Sequence, residues 1–195
     1  MTTEQLKAPS QPQSADRIQP RAVEVERAVL GAMLIDKGSI GRVLEVVGDE
    51  TAFYHSAHRK IYSAIVGLYD RGEPADQITV TEELNRRGEL ERAGGAVEIA
   101  GLAGEMATAV NAEYHAKIIL DRALRRRLIE AATQTAAECY EESEEIREVI
   151  DRAEQRVFGI AEREFGKGIV ALQPVLHEAV AVIQKAQERS GALSG

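Results

Sequence analysis

His55 and His58 stand at i, i+3 in the run His55-Ser-Ala-His58 and are the first residues whose spacing could do chemistry. As a metal site they need at least one further ligand from elsewhere in the chain, because a zinc centre takes three or four protein ligands. Without it they are ordinary residues at a helix start. His115 and His177 sit on other helical segments with no ligand-like spacing around them. Gly166-Lys-Gly168 superficially has the look of a phosphate loop, but such a loop needs G-x-x-x-x-G-K-[ST] after a strand. Here Ala161 fills the first glycine position, Gly168 stands where Ser or Thr belongs, and a helical pattern precedes it. The segment reads as a flexible linker. Arg122 with Arg125, Arg126 and Arg127 is the densest basic cluster. It is either a contact to nucleic acid or an acidic partner, or a solvated helix face balanced by Asp121 and Glu130. No aromatic residues interleave with it, as a single-strand binding platform would want. The acidic run from Glu138 to Glu145 lacks the D-x-[DN]-x-[DN]-G order of a calcium loop. It fits a carboxylate-rich helix start, where negative charge meets the positive end of the dipole. Ser143 has no histidine placed to activate it. The chain is therefore expected to hold no catalytic, cofactor-binding or metal centre.

The elements around these residues are those of a helical protein. Apolar residues make up 44% of the 195-residue chain but aromatics only 4%, so the core is built from Ala, Leu, Ile and Val, which suits helix packing. A net charge of −8 argues against a nucleic-acid footprint spread over the whole surface and against anionic membranes. With Cys139 as the single cysteine no intrachain disulfide can form, and a cytoplasmic location is the simplest reading. No apolar run approaches the ~18 residues needed to span a bilayer, and residues 1–20 have no signal-peptide core.

Residues 1–20, rich in Gln, Ser and Thr and holding Pro9, Pro12 and Pro20, read as a disordered tail. A compact helical head is expected over 21–110. Its first helix carries Val25, Ala28, Val29, Ala32 and Met33 at helical spacing and ends at Asp36 to Gly38. Ser39 is the expected N-cap of a second, with Val43, Leu44 and Val47 inward. A third runs from about His55 to Asp70 on Ile61, Ala64, Ile65 and Leu68, closed by Gly72. Thr79 and Glu82 have the spacing of a capping box for a short fourth helix that Gly88 stops, and a fifth covers about Ala96 to Leu102.

The next segment differs. From Asn111 a helix continues without Gly or Pro to about Tyr140, roughly 45 Å at 1.5 Å per residue. After an acidic turn, a second long helix carries Ile146, Val149, Ile150, Ala153, Val157, Phe158 and Ala161. A short connection between two long helices gives an antiparallel hairpin over 111–164. Such a hairpin cannot cover its own apolar stripe on both sides. Leu124, Leu128, Ile146, Val149, Ile150, Val157 and Phe158 are therefore its expected interface residues. Finally, residues 165–195 form a linker with one amphipathic helix, 174–188. Pro174 suits its first position, and Val175, Leu176, Ala179, Val180 and Ile183 make an apolar face that must bury itself somewhere.

The ordered set of segments resembles the N-terminal domain plus linker helix of the DnaB-family replicative DNA helicases. Residues 23–36 (VEVERAVLGAMLID) are similar to that family's first helix, and residues 53–62 (FYHSAHRKIY) to its FYxxxHxxIF segment. Asp76 to Thr81 (DQITVT) with Gly88-Glu-Leu90 and Gly94-Gly95 resembles its D-x-x-T-V, G-x-L, GG block. Residues 111–117 (NAEYHAK), 127–129 (RLI) and 151–158 (DRAEQRVF) look like parts of its two hairpin helices. The similarity covers about residues 20–195.

The resemblance implies a role. In that family the heads and hairpins dimerise, and three dimers form a collar over a ring of six ATPase domains. The collar binds DnaG-type primase, loader proteins engage the helicase, and the linker helix docks on the ATPase domain of the neighbouring subunit. ATP and Mg serve only the RecA-like motor domain, and no position here matches its Walker A loop; DNA is met only through the parent ring. The expectation is a non-catalytic collar and assembly module, cut off at the threshold of its motor. The rival expectation is a free-standing helical interaction adaptor without a motor.

Overall fold

The structure, a computed structural model, describes residues 18–105, 109–141 and 145–165. The tail 1–17 and the linker helix expected over 174–188, with Val175, Leu176, Ala179, Val180 and Ile183, lie outside them. Among the described residues the fold is all-α, with seven helices: α1 (Val23–Ile35), α2 (Lys37–Val47), α3 (Ser56–Asp70), α4 (Gln77–Arg86), α5 (Gly95–Glu105), α6 (Ala112–Glu141) and α7 (Ile146–Phe165). Two single 3-10 turns, Glu50–Ala52 and Glu91–Ala93, sit in the connections. The chain divides into two compact units, residues 1–127 and 128–195, with the division inside α6.

In the first unit α1 packs against α2, α3 and α5, and α4 lies between α3 and α5. Six consecutive residues of α1, Val29 to Leu34, are buried, so the second half of this helix is enclosed on all faces rather than along one stripe. Leu30 and Met33 meet a core shared by Ile40, Val43, Phe53, Ile61, Ile65, Val80, Leu84, Ile99 and Leu102. The first half of α6 adds Ala112, Ala116, Ile119 and Ala123. Their i, i+4, i+7, i+11 spacing places three alanines on one face, where small side chains let a helix approach closely. Burying each large side chain contributes ~1.5–3 kcal/mol as an upper estimate.

Two caps differ from the sequence expectation, and for one reason. The N-cap of α2 is Asp36, whose carboxylate accepts the Gly38 N–H at 2.9 Å. Ser39 lies one turn inside, donating to the carbonyls of Ala32 and Asp36. Likewise α4 is capped by Asp76, which accepts from the amides of Ile78 and Thr79, while the Thr79 hydroxyl accepts the Asp76 N–H. Thr79 is thus the third-position member of the capping box, not its first. In both places an aspartate three residues ahead of the hydroxyl is the stronger acceptor for the free amides of a helix start. Gly94, at φ 96°, makes the turn into α5 that a side chain would obstruct, since a Cβ there would lie 2.8 Å from Glu98 Cβ.

The second unit comprises the last turns of α6 and all of α7. Arg156 of α7 binds Glu138 of α6 through both guanidinium nitrogens and reaches Thr135 Oγ1 at 3.2 Å. Arg152, one turn earlier on α7, lies 3.5 Å from the same carboxylate. These pairs are the register of an antiparallel helix pair. They hold the Glu138 carboxyl below its usual range, first through the Arg156 hydrogen bonds. Val149 and Ala131 are buried in this unit.

Candidate functional site

Two buried carboxylates anchor the first unit. Glu26 lies on the face of α1 that also carries Val29, Leu30 and Met33, and it is 1% exposed. Its oxygens accept the Tyr54 N–H at 2.6 Å and the His55 N–H at 3.2 Å, so Glu26 caps the entry to α3 from a different helix. His58, itself buried, donates from Nδ1 to the same carboxylate at 2.7 Å. Beside this cluster Arg126 of α6 donates to the carbonyl oxygens of Pro20 at 2.8 Å and Ala52 at 2.6 Å. Burial pulls the Arg126 guanidinium below its usual value, and the charge of Glu26 opposes that shift. Arg59 adds a 2.7 Å bond to the Phe53 carbonyl.

Glu83 of α4 is the second. Its carboxylate is gripped by Arg86 at 2.7 Å, Arg87 at 2.7 Å and Arg71 at 3.1 Å. Those three guanidinium groups, Arg86 foremost, pull its pKa down to about 2. An open groove of about 500 Å³ borders this clamp, with Leu68, Pro74 and Ile78 on its apolar side and Glu73, Glu82 and Arg86 on its polar side. It brings together no nucleophile with a base. Among the described residues no group of three His, Cys, Asp or Glu side chains could hold a metal ion. His55 and His58 have rings 4.9 Å apart, but His58 is committed to Glu26.

The basic cluster of α6 splits by direction. Arg122 and Arg125 pair with Asp121 on the surface. Arg127 reaches Thr51 and Asp49 instead of Glu130. Arg126 turns inward.

The second unit carries the third feature, an apolar surface. Taking 100° per residue, Ile146, Ile150, Ala153 and Val157 fall within roughly 60° of one another on α7. Ile150 is 50% exposed and Phe158, off that stripe, 66%, whereas Val149 is 4% exposed. Of the residues expected at the hairpin interface, Leu128, Ile146, Ile150, Val157 and Phe158 are thus open to solvent among the described residues. Val149 is buried within its own unit, and Leu124 is half-buried in the first unit. Ile129, which the helical period places on the apolar face of α6 with Leu120, Leu124, Leu128, Ala132 and Ala136, is exposed as well, and so is Tyr140, which was not expected. Tyr140 lies at the end of α6, where the 3.6 period gave no reason to separate it from a solvated face.

A family model described as "DnaB-like helicase N terminal domain" matches residues 18–121, more than half of the chain. The chain belongs to this family. A crystal structure of the N-terminal domain of DnaB helicase from Mycobacterium tuberculosis aligns with a TM-score of 0.70 and 43% identity, covering 73% of this chain and 99% of that one. The replicative DNA helicase DnaB of Mycobacterium leprae is 43% identical over 161 residues, 80% of this chain and 26% of its own length. That of Rhodothermus marinus is 39% identical over 183 residues, 94% of this chain and 19% of its own length. The chain therefore spans about a fifth to a quarter of these two curated relatives. The matched DnaB region holds Glu26, His58 and Glu83. No helix among the described residues is long and apolar enough to cross a membrane.

Glu26 and Glu83 are site residues that no local motif in the sequence marks, and His58, whose spacing from His55 suggested a metal ligand, instead serves Glu26. For Glu26 and His58 a signal of burial was present. Glu26 sits three and four residues ahead of Val29 and Leu30, on the core stripe, and His58 holds the same relation to Ile61 and Tyr62.

Proposed function

We propose that this chain is the collar and assembly module of a replicative DNA helicase, acting in the bacterial cytoplasm. In this reading it joins subunits into dimers and a hexameric ring. It also offers a surface to DnaG-type primase and to a helicase loader, and links through 165–195 to the ATPase domain of a neighbouring subunit. ATP-dependent unwinding belongs to that motor domain, with its ATP and Mg, and the chain itself turns over no nucleotide.

The observation that carries the reading is the solvent-facing stripe of α7. An amphipathic helix ordinarily turns its apolar side to the core. Here Val149 is turned inward, while Ile146, Ile150 and Val157 are left in water. Such a continuous apolar strip on a hydrophilic protein marks a surface meant to be covered, and a second copy covers it symmetrically with the same residues. Sedimentation velocity of the chain across low to high micromolar concentration tests this. A dimer that forms with concentration, and that Ile150→Asp reduces to monomer, supports it. A strict monomer at the highest concentration removes its main support.

A further inference from the structure

Arg126 is the one member of the basic cluster whose side-chain hydrogen bonds all go to main-chain carbonyls. One guanidinium nitrogen binds Pro20 O, 106 residues away in sequence, and another binds Ala52 O, 74 residues away. The guanidinium also lies 5.6 Å from the centre of the Tyr54 ring, and the Arg21 guanidinium lies 5.9 Å from the same ring. The non-helical segment ahead of α1 is therefore tied to α6 and to the turn before α3 at a single place.

Little else holds that segment. Ile18 is 75% exposed, so it is no apolar anchor. Gln19 and Arg21 are exposed, and Pro20 and Ala22 half-buried. To the described residues, Ile18 to Arg21 make one hydrogen bond, the one from Arg126, and one ring contact, that of Arg21 with Tyr54. By contrast, the cluster beside it is over-determined, since Glu26 accepts from Tyr54, His55 and His58 independently of Arg126. A segment held by one charge-assisted bond and one cation–π contact opens at far lower free energy than the core it borders.

We propose that residues 18–21 are a releasable strap that Arg126 closes, coupling the chain's entry into the head directly to α6. While the strap is closed, a pull on the chain ahead of Ile18 is felt at Arg126 on α6 as well as at the first turn of α1. When Arg126 lets go, the strap lifts and the Glu26–His58 core stays formed. The strap is independent of whether the chain self-associates.

Trypsin digestion of the full chain, with mass spectrometry of the cut after Arg21, reads strap opening. Amide exchange at Tyr54 and His55 reads the core. In Arg126→Ala the cut after Arg21 is expected to be about tenfold faster than in the wild type, with Tyr54 and His55 still protected. Should Arg126→Ala not fold, Arg126→Gln, neutral and too short to bridge both carbonyls, is read in the same way. An unchanged rate of cutting overturns the proposal. So does faster cutting accompanied by loss of Tyr54 and His55 protection, because Arg126 would then be a part of the core and not a clasp.

Discussion

His58 Nδ1 lies 2.7 Å from Glu26 Oε2, joining α3 to α1 across 32 residues of sequence with both side chains buried. A carboxylate oxygen only accepts, so Nδ1 carries the hydrogen. The same carboxylate satisfies two main-chain amides that have no other acceptor at the start of α3. One side chain therefore closes three donors, and its loss leaves the buried His58 Nδ1 and the two part-buried amides without it.

Glu26→Leu should destabilise the protein by about 2–3 kcal/mol, because a buried donor left unsatisfied costs about 1–3 kcal/mol and the two part-buried amides lose their acceptor as well. Glu26→Gln keeps a carbonyl acceptor and should lose about 1–2 kcal/mol. Urea unfolding followed by helical circular dichroism separates the two. Equal and small losses for both variants would mean that the α3 entry does not depend on this carboxylate.

Glu83 gives a prediction in pH. Its pKa falls from 4.5 to about 2 through Arg86, Arg87 and Arg71. A carboxyl whose folded value lies below its unfolded value stabilises the fold fully above the unfolded value. That contribution is lost as pH falls from about 5 towards 2. The carboxylate is 4% exposed but Arg86, the foremost of its partners, is 68% exposed, so solvent screens part of the attraction. The contribution at pH 7 is on the order of 2 kcal/mol. Glu83→Gln should be less stable than wild type at pH 7, and the gap should narrow steadily at pH 4 and pH 3. A gap that stays constant over that range would show that the arginines do not favour the ionised form.

These two carboxylates mark the limit of what the sequence makes legible. The helices follow from apolar spacing and from Gly72, Gly88 and Gly94, because both are local properties of a few neighbouring residues. The resemblance to DnaB-family N-terminal domains rests on equally local segments, and the family match bears it out. Caps are harder, since Asp36 and Ser39, or Asp76 and Thr79, compete for the same amides and only backbone geometry decides. Glu26 and Arg126 are harder still. Glu26 reads as an acidic residue in a first helical turn, where the dipole favours it anyway, and Arg126 as one of four basic residues on a surface. Their partners lie 28 to 32 and 74 to 106 residues away, beyond any local pattern.

Tyr62 carries a buried hydroxyl that finds no hydrogen-bond partner among the described residues. Burial, with Asp49, Glu50 and Asp70 nearby, raises its pKa, so the group stays neutral. The ring packs 4.9 Å from Phe53 and supplies the useful contact. Tyr62→Phe removes the unpaired oxygen and keeps the ring. It should be neutral or stabilising by up to about 1 kcal/mol. Thermal melts of the two proteins decide it. A loss of more than about 1 kcal/mol would require a partner for the hydroxyl, such as an internal water.

Val149 and Ile150 are neighbours on α7 with opposite surroundings, 4% and 50% exposed. The same substitution should therefore do different things at the two positions. Val149→Asp places an unpaired carboxylate inside the second unit and should cost about 3 kcal/mol, melting α7. Ile150→Asp puts the charge on the solvent-facing stripe and should leave the monomer's helix content within about 5% of wild type. If the stripe is covered by a second copy, Ile150→Asp instead abolishes the concentration-dependent dimer, because the charge would be buried there without a partner. Circular dichroism and sedimentation on the same samples read both effects. Loss of helix in Ile150→Asp would mean that Ile150 is needed within the unit, and an intact dimer in that variant would move the subunit contact to another surface.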